Sequence, residues 1–167
     1  MISMRCKGYT FIELTVVIFL VGLTLVLTVP RFRYAMLTDE LKGTVRRLVG
    51  TVRSLRNEAI REQTNYELHF DLESHRFWVE SADMTDEGRE LAYEKAFQLA
   101  DGVRILDVWS KEKGKKADGE ASVHFTKKGY IEHSVVHLGG DDDRRFTLEF
   151  SPFLGKIKVV EEYIEFQ

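Results

Sequence analysis

The sequence predicts an α+β chain: a long N-terminal helix, membrane-spanning in its first half and amphipathic in its second, packed on an antiparallel two-sheet β domain. Three observations predict it. Leu14 to Val29 contains no charge and no Asn, Gln or His. Leu37, Leu41, Val45, Leu48, Val52, Leu55 and Ala59 then recur in steps of three and four, the helical period. Beyond residue 65 the pattern changes to alternation, with Tyr66, Leu68 and Phe70 set against Glu67, His69 and Asp71.

Composition bounds the function classes. A chain of 167 residues with 44% hydrophobic content is long enough for one domain with a real core. The single cysteine, Cys6, excludes an internal disulfide and a Cys-based zinc site. A net charge of −3 argues against general nucleic-acid affinity. The charge is unevenly spread: residues 31–64 carry net +4 and residues 65–167 net −8, a basic stem beneath an acidic head.

Four segments follow in order. Residues 1–8 form a short leader with Arg5 and Lys7. Residues 9–29 are 21 residues long, about 32 Å as a helix, close to the ~30 Å hydrocarbon thickness. A cleaved secretory signal fits poorly, because the apolar run is long and Thr28-Val29-Pro30-Arg31 offers no small-x-small cleavage site. Glu13 lies inside the span, and an intramembrane acid costs about 2.5–3.5 kcal/mol at the bilayer centre, less at an interface. It is either a functional group or a side chain reaching headgroup water; composition alone does not choose.

The stretch Lys7-Gly8-Tyr9-Thr10-Phe11-Ile12-Glu13-Leu14, followed by the apolar run, resembles the class III signal of type IV pilins and type II secretion pseudopilins. The family usually has Phe where Tyr9 stands, and Leu is commoner at Phe11. The resemblance implies cleavage between Gly8 and Tyr9 by a prepilin peptidase that then N-methylates Tyr9. It also implies that Glu13 is an assembly residue. The freed Tyr9 amine of one subunit would pair with Glu13 of a staggered neighbour, and pairing in a low dielectric would select one axial offset. Arg31, Arg33 and Lys42 just past the span would, by charge count alone, hold the body in the cytoplasm. The resemblance implies the reverse, a short cytoplasmic N-terminus and a periplasmic head on a single-pass inner-membrane anchor.

Residues 30–64 form the amphipathic stem, and Pro30 resembles the proline at which family members kink a continuing helix, since it lacks an N–H. Gly43 and Gly50 suggest close packing or mild flexibility. Arg46, Arg47, Arg53, Arg56 and Arg61 read as a solvated face; nucleic acid is not an expected partner.

Residues 65–167 are the β-rich head. Tyr66–Phe70 and His75–Ser81 form a hairpin around Leu72-Glu73-Ser74. Residues 82–100 read as a loop, with a short helix around Arg89–Phe97. Val103–Trp109 is apolar on both faces, hence a central strand, and Lys111–Glu120 is an exposed loop. Strands follow at Ala121–Phe125, Tyr130–Leu138, Phe146–Phe150 and Lys156–Val160, with Gly139–Arg145 as a loop. The tail, with Tyr163, Ile164 and Phe166 among glutamates, adds a strand or meets a partner. Arg56-Asn57-Glu58-Ala59-Ile60, Val123–Gly129 and the closing hairpin are similar to segments of the H-type minor pseudopilins and related minor pilins.

Catalytic patterns are missing: the sequence has no Gly-x-Ser-x-Gly, no phosphate-cradling glycine loop and no His-Glu-x-x-His. His133 and His137 on one strand would stand roughly 13 Å apart, too far to share a metal. Asp141, Asp142 and Asp143 are a weak calcium candidate against the simpler reading of a solvated turn.

The resemblance implies a minor pseudopilin of a type II secretion system, non-enzymatic and without a cofactor. Its expected partners are the prepilin peptidase, other major and minor pseudopilins or pilins, inner-membrane lipid before assembly, and secreted cargo. A minor pilin of a type IV pilus is the nearest alternative, and a signal-anchored periplasmic enzyme is a third class.

Overall fold

The computed structural model describes residues 11–152 and 156–166, with the side chains of residues 25–39 outside the description. The chain divides into two compact units, up to Met36 and from Leu37 onward. Helix α1 (Phe11–Glu62) is followed by β1 (Tyr66–Asp71), β2 (Arg76–Ser81), α2 (Asp86–Glu94), β3 (Phe97–Gln98) and β4 (Val103–Ser110). Then come β5 (Gly114–Lys116), β6 (Glu120–Phe125), β7 (Ser134–Gly140), β8 (Arg145–Phe150) and β9 (Ile157–Val160).

In the first unit, the described side chains from Phe11 to Thr24 are exposed, including Phe11, Ile12, Phe19 and Leu20. Among the described residues no helix is long and apolar enough to cross a membrane. Gly8 and Tyr9 lie outside the described residues, and Pro30 falls within α1, which continues past it to Glu62.

In the second unit the strands form two antiparallel sheets, ordered β3-β2-β1-β6 and β5-β4-β7-β8-β9. The stripe Leu41, Val45, Leu48, Val52, Leu55 and Ala59 is buried to within a few percent and joins one core with both sheets. Alternation in β1 puts Leu68 and Phe70 inward; β7 and β8 add Val136, Leu138, Phe146, Leu148 and Phe150. Each fully buried large apolar side chain contributes about 1.5–3 kcal/mol. The stem therefore packs on its own sheets, because those sheets each have an apolar face to cover.

The end of α1 is tied down by two contacts. The Tyr66 hydroxyl donates to Glu62, which pushes the phenol up to about 12. Arg56 Nε donates to the carbonyl of Gly129 at 2.9 Å. Gly129 sits at φ +82, a conformation that favours glycine, and a Cβ there would meet Ile60 Cδ1 at 2.6 Å, so the Ile60 side chain would have to shift.

Five expectations need correction. The short helix begins at Asp86 rather than Arg89, because Thr85 caps it, accepting from Gly88 N, and Asp86 and Glu87 suit its positive end. It stops at Glu94, and Phe97 pairs with Phe77 as β3 instead of continuing it. Within the expected 111–120 loop, Gly114–Lys116 turns back as edge strand β5, with Gly114 at φ +71. The strand expected from Tyr130 begins at Ser134 and runs through Gly139 and Gly140; before it, only Ile131 bridges, to Phe125. Of the two readings of Gly43 and Gly50, close packing within the chain fails, since a Cβ at either meets nothing within 4 Å.

The sheet centre also shifts. Strand β4 lies one place in from the edge, with Arg104 exposed and a bulge between Ile105 and Asp107. Strand β7, buried from Ser134 through Gly139, is the middle of the five-stranded sheet.

Candidate functional site

Two features of the chain have functional chemistry: the exposed apolar start of α1, and a polar cluster on the outer face of the five-stranded sheet. On α1, Glu13 sits in the first turn, where a carboxylate suits the positive helix end. Thr15 Oγ1 returns its hydrogen to the carbonyl of Phe11 at 3.0 Å. The surrounding Phe11, Ile12, Leu14, Val16, Val17 and Ile18 are exposed, a contiguous apolar surface that water solvates poorly.

The polar cluster is built by register. In β4 the bulge after Ile105 turns Asp107 to the outer face, directly opposite His137 of β7, and His137 is opposite Thr147 of β8. His137 Nδ1 lies 2.6 Å from Asp107 Oδ1, and its Nε2 lies 2.9 Å from the carbonyl of Ile164. Both partners are acceptors, so a proton on each ring nitrogen satisfies both contacts. The Tyr163 hydroxyl donates to Asp107 Oδ2 at 2.8 Å, and Lys115 Nζ donates to that hydroxyl at 2.6 Å. Thr147 Oγ1 donates to the carbonyl of Glu162 and accepts from the amide of Ile164.

Tyr163 stacks on His137, with ring centres 4.1 Å apart, and Phe166 packs on Trp109. The tail thus adds no strand. It crosses the sheet as a strap, fixed by side chains rather than by a ladder.

Electrostatics fit this arrangement. Burial alone would push the Asp107 carboxyl up, but hydrogen bonds from His137 and Tyr163, with the charges of His137 and Lys115, hold it below its ordinary value. The hydrogen bond to Tyr163 and the nearby Asp107 raise Lys115. The Asp107–His137 pair is nearly solvent-free, its side chains 5% and 2% exposed, and Tyr163 covers it as a half-buried ring. Its reactive atoms are consumed by one another, which suits a structural lock rather than a nucleophile and base facing a substrate.

The other singled-out residues are dispersed. His133 precedes β7 and contacts Glu149 at 3.3 Å, apart from the partners of His137. Asp141 pairs with Arg104 at 2.7 Å and Asp142 with Arg144 at 3.3 Å, while Asp143 takes φ +61 at the turn. Among the described residues no group of three or more His, Cys, Asp or Glu side chains is placed to hold a metal ion. On the stem, Arg47 lies 4.2 Å over the Phe97 ring and Arg61 pairs with Glu62, so part of the basic face is engaged internally.

No protein-family model matches the sequence, and no curated protein matches it. Solved structures do. The minor pseudopilin EpsH of the Vibrio cholerae type II secretion system superposes with a TM-score of 0.52 at 14% identity, over 74% of this chain and 98% of that one. A second structure of EpsH gives a TM-score of 0.55 at 13% identity, over 76% of this chain and 97% of that one. At such low identity the likeness lies in backbone architecture, and the chain has the fold of a minor pseudopilin.

Proposed function

We propose that this chain is a minor pseudopilin of a type II secretion system, built into the tip complex of a periplasmic pseudopilus. The observation that carries the reading is the shared architecture, an amphipathic helix covering two antiparallel sheets, matched over nearly the whole of EpsH. The exposed apolar residues from Phe11 to Leu23 support it, because such a surface needs lipid or other helices around it.

In this reading residues 1–8 are removed between Gly8 and Tyr9, and residues 9–29 anchor the chain in the inner membrane until assembly. The same helix then enters a filament core, with Pro30 allowing a bend. Glu13 selects the axial offset by meeting the Tyr9 amine of a neighbouring subunit, and an unpaired carboxylate penalises every other offset. Residues 65–167 present the head in the periplasm to other pseudopilins and to cargo. The work is mechanical; no step of it needs a catalytic group or cofactor.

The test is co-assembly. The full chain, co-expressed with the pseudopilins of one secretion system, is extracted in detergent and captured through a C-terminal tag. Wild type is expected to bring those subunits with it, and Glu13→Leu to lose at least 10-fold of them while the head keeps its thermal unfolding. Unchanged capture by Glu13→Leu would remove the register role. Capture of type IV pilus subunits instead would reassign the chain to a pilus.

A further inference from the structure

Strand β2 is paired along its whole length on one side and only in part on the other. The amide of Ala82 donates to the carbonyl of Asn65, so the even-numbered residues of β2 bond to β1. The N–H and C=O groups of Phe77, Val79 and Ser81 therefore point the other way. Phe77 faces Phe97 of β3, and the carbonyl of Ser81 accepts from the amide of Met84. Between them the pairing stops, because β3 is two residues long. The residue that would continue it opposite Val79 is Lys95, which caps α2 instead. The N–H and C=O of Val79 meet no hydrogen-bond partner on this side among the described residues.

Other sheet edges are guarded or closed. Strand β9 carries Lys158, and β5 is three residues long with Lys115 and Lys116. The far side of β6 is met by Ile131 and by the amide of Glu132. Strand β2 has no lysine, proline or bulge, and its register with β1 is unbroken. A groove of about 290 Å³ runs along its open stretch, with Arg47 and Thr51 of α1 on one side and Ala92 and Lys95 of α2 on the other. Arg47 lies over the Phe97 ring and hydrogen-bonds to no described residue. Lys95 is exposed and pairs with no carboxylate among the described residues. Two cations without acids thus flank an unpaired strand edge, in a head that carries net −8.

We propose that this groove is a strand-addition site that takes an extended, acidic segment of a partner protein, laid along β2 in line with β3. The backbone of the segment would exchange hydrogen bonds with Val79, which sets its register. Successive side chains of an extended chain alternate between two faces, so neighbouring carboxylates reach Arg47 on one wall and Lys95 on the other. The backbone bonds accept many sequences, and the two cations select acidic ones. The site stands on the head alone and does not depend on the proposed place of the chain in a pseudopilus.

The test titrates the detergent-solubilised full chain with the end-blocked peptide Thr-Val-Glu-Asp-Val-Thr by calorimetry, with hydrogen exchange read across Phe77–Ser81. Saturable one-to-one binding is expected, with exchange slowed in that stretch and unchanged in β9. Arg47→Gln and Lys95→Gln should each weaken binding by about 10-fold or more, as loss of a hydrogen bond to a charged group does. The peptide with Lys-Lys in place of Glu-Asp, and the peptide methylated on its backbone nitrogens, should not bind. Circular dichroism checks that each variant is folded, and Lys95→Gln changes only an exposed side chain. No binding, equal binding of the methylated or the Lys-Lys peptide, or binding that survives both substitutions would each overturn the proposal. A concentration-dependent dimer seen by sedimentation without peptide, and lost in Lys95→Gln, would also overturn it by giving the groove to a second copy of the chain.

Discussion

Replacing Asp107 with alanine should unlock the C-terminal strap. The carboxylate accepts from His137 at 2.6 Å and Tyr163 at 2.8 Å, and Lys115 Nζ stands 3.6 Å away. Removing it leaves His137, 2% exposed, with Nδ1 facing nothing that accepts. Breaking a buried pair by deleting one partner costs about 3–5 kcal/mol, because the remaining group is left desolvated and uncompensated. For a unit of this size that lowers the thermal midpoint by roughly 10–20 °C. The assay is thermal unfolding together with hydrogen exchange at the Ile164 amide, which donates to Thr147 at 3.0 Å. Exchange there should accelerate more than in β1. Acid should act in the same way. The folded-state value of Asp107 is depressed below 3.8, so its contribution is complete above that pH and is lost as pH falls through the folded-state value. Wild type should therefore release the strap only in strong acid, and Asp107→Ala should lack that transition. A midpoint within about 4 °C of wild type, or unchanged Ile164 exchange, would refute the reasoning.

Three further substitutions probe the backbone. Gly129→Ala places a methyl 2.6 Å from Ile60 Cδ1 at φ +82 and should cost about 1–3 kcal/mol in urea unfolding. Thr85→Ala removes the cap of α2 and should cost about 1 kcal/mol, read in the same titration. Gly50→Ala enters open space on a helix and should stabilise by about 0.5–1 kcal/mol; a loss would mean that the stem is held tighter than its surroundings suggest.

The parts of the fold legible in the sequence were those written in local period. The Leu41–Ala59 stripe and the Tyr66–Phe70 alternation each report one buried face, and both are buried as the period demands. Strand β5 left no such mark: its three residues, Gly114, Lys115 and Lys116, are held by backbone pairing with β4 and have no buried apolar side chain to betray them. Helix α2 buries no residue at all, so its start is recorded only in the Thr85 cap, a signal present in Thr85-Asp86-Glu87-Gly88 but outweighed by the apolar residues further on.

The polar lock was invisible for a different reason. Asp107, His137 and Tyr163 are far apart in sequence and meet only because β4 and β7 pair and the tail crosses them. One hint existed, an aspartate set between the apolar pairs Ile105-Leu106 and Val108-Trp109, since a buried acid requires a partner.

The central claim is that the N-terminal helix is processed as a pilin-like helix and stays attached to the head. Intact-mass spectrometry of the protein extracted from inner membranes tests it most directly. The account predicts a chain starting at Tyr9, lacking Met1–Gly8 and heavier by one methyl group. A full-length mass, or a chain beginning after Val29, would contradict it.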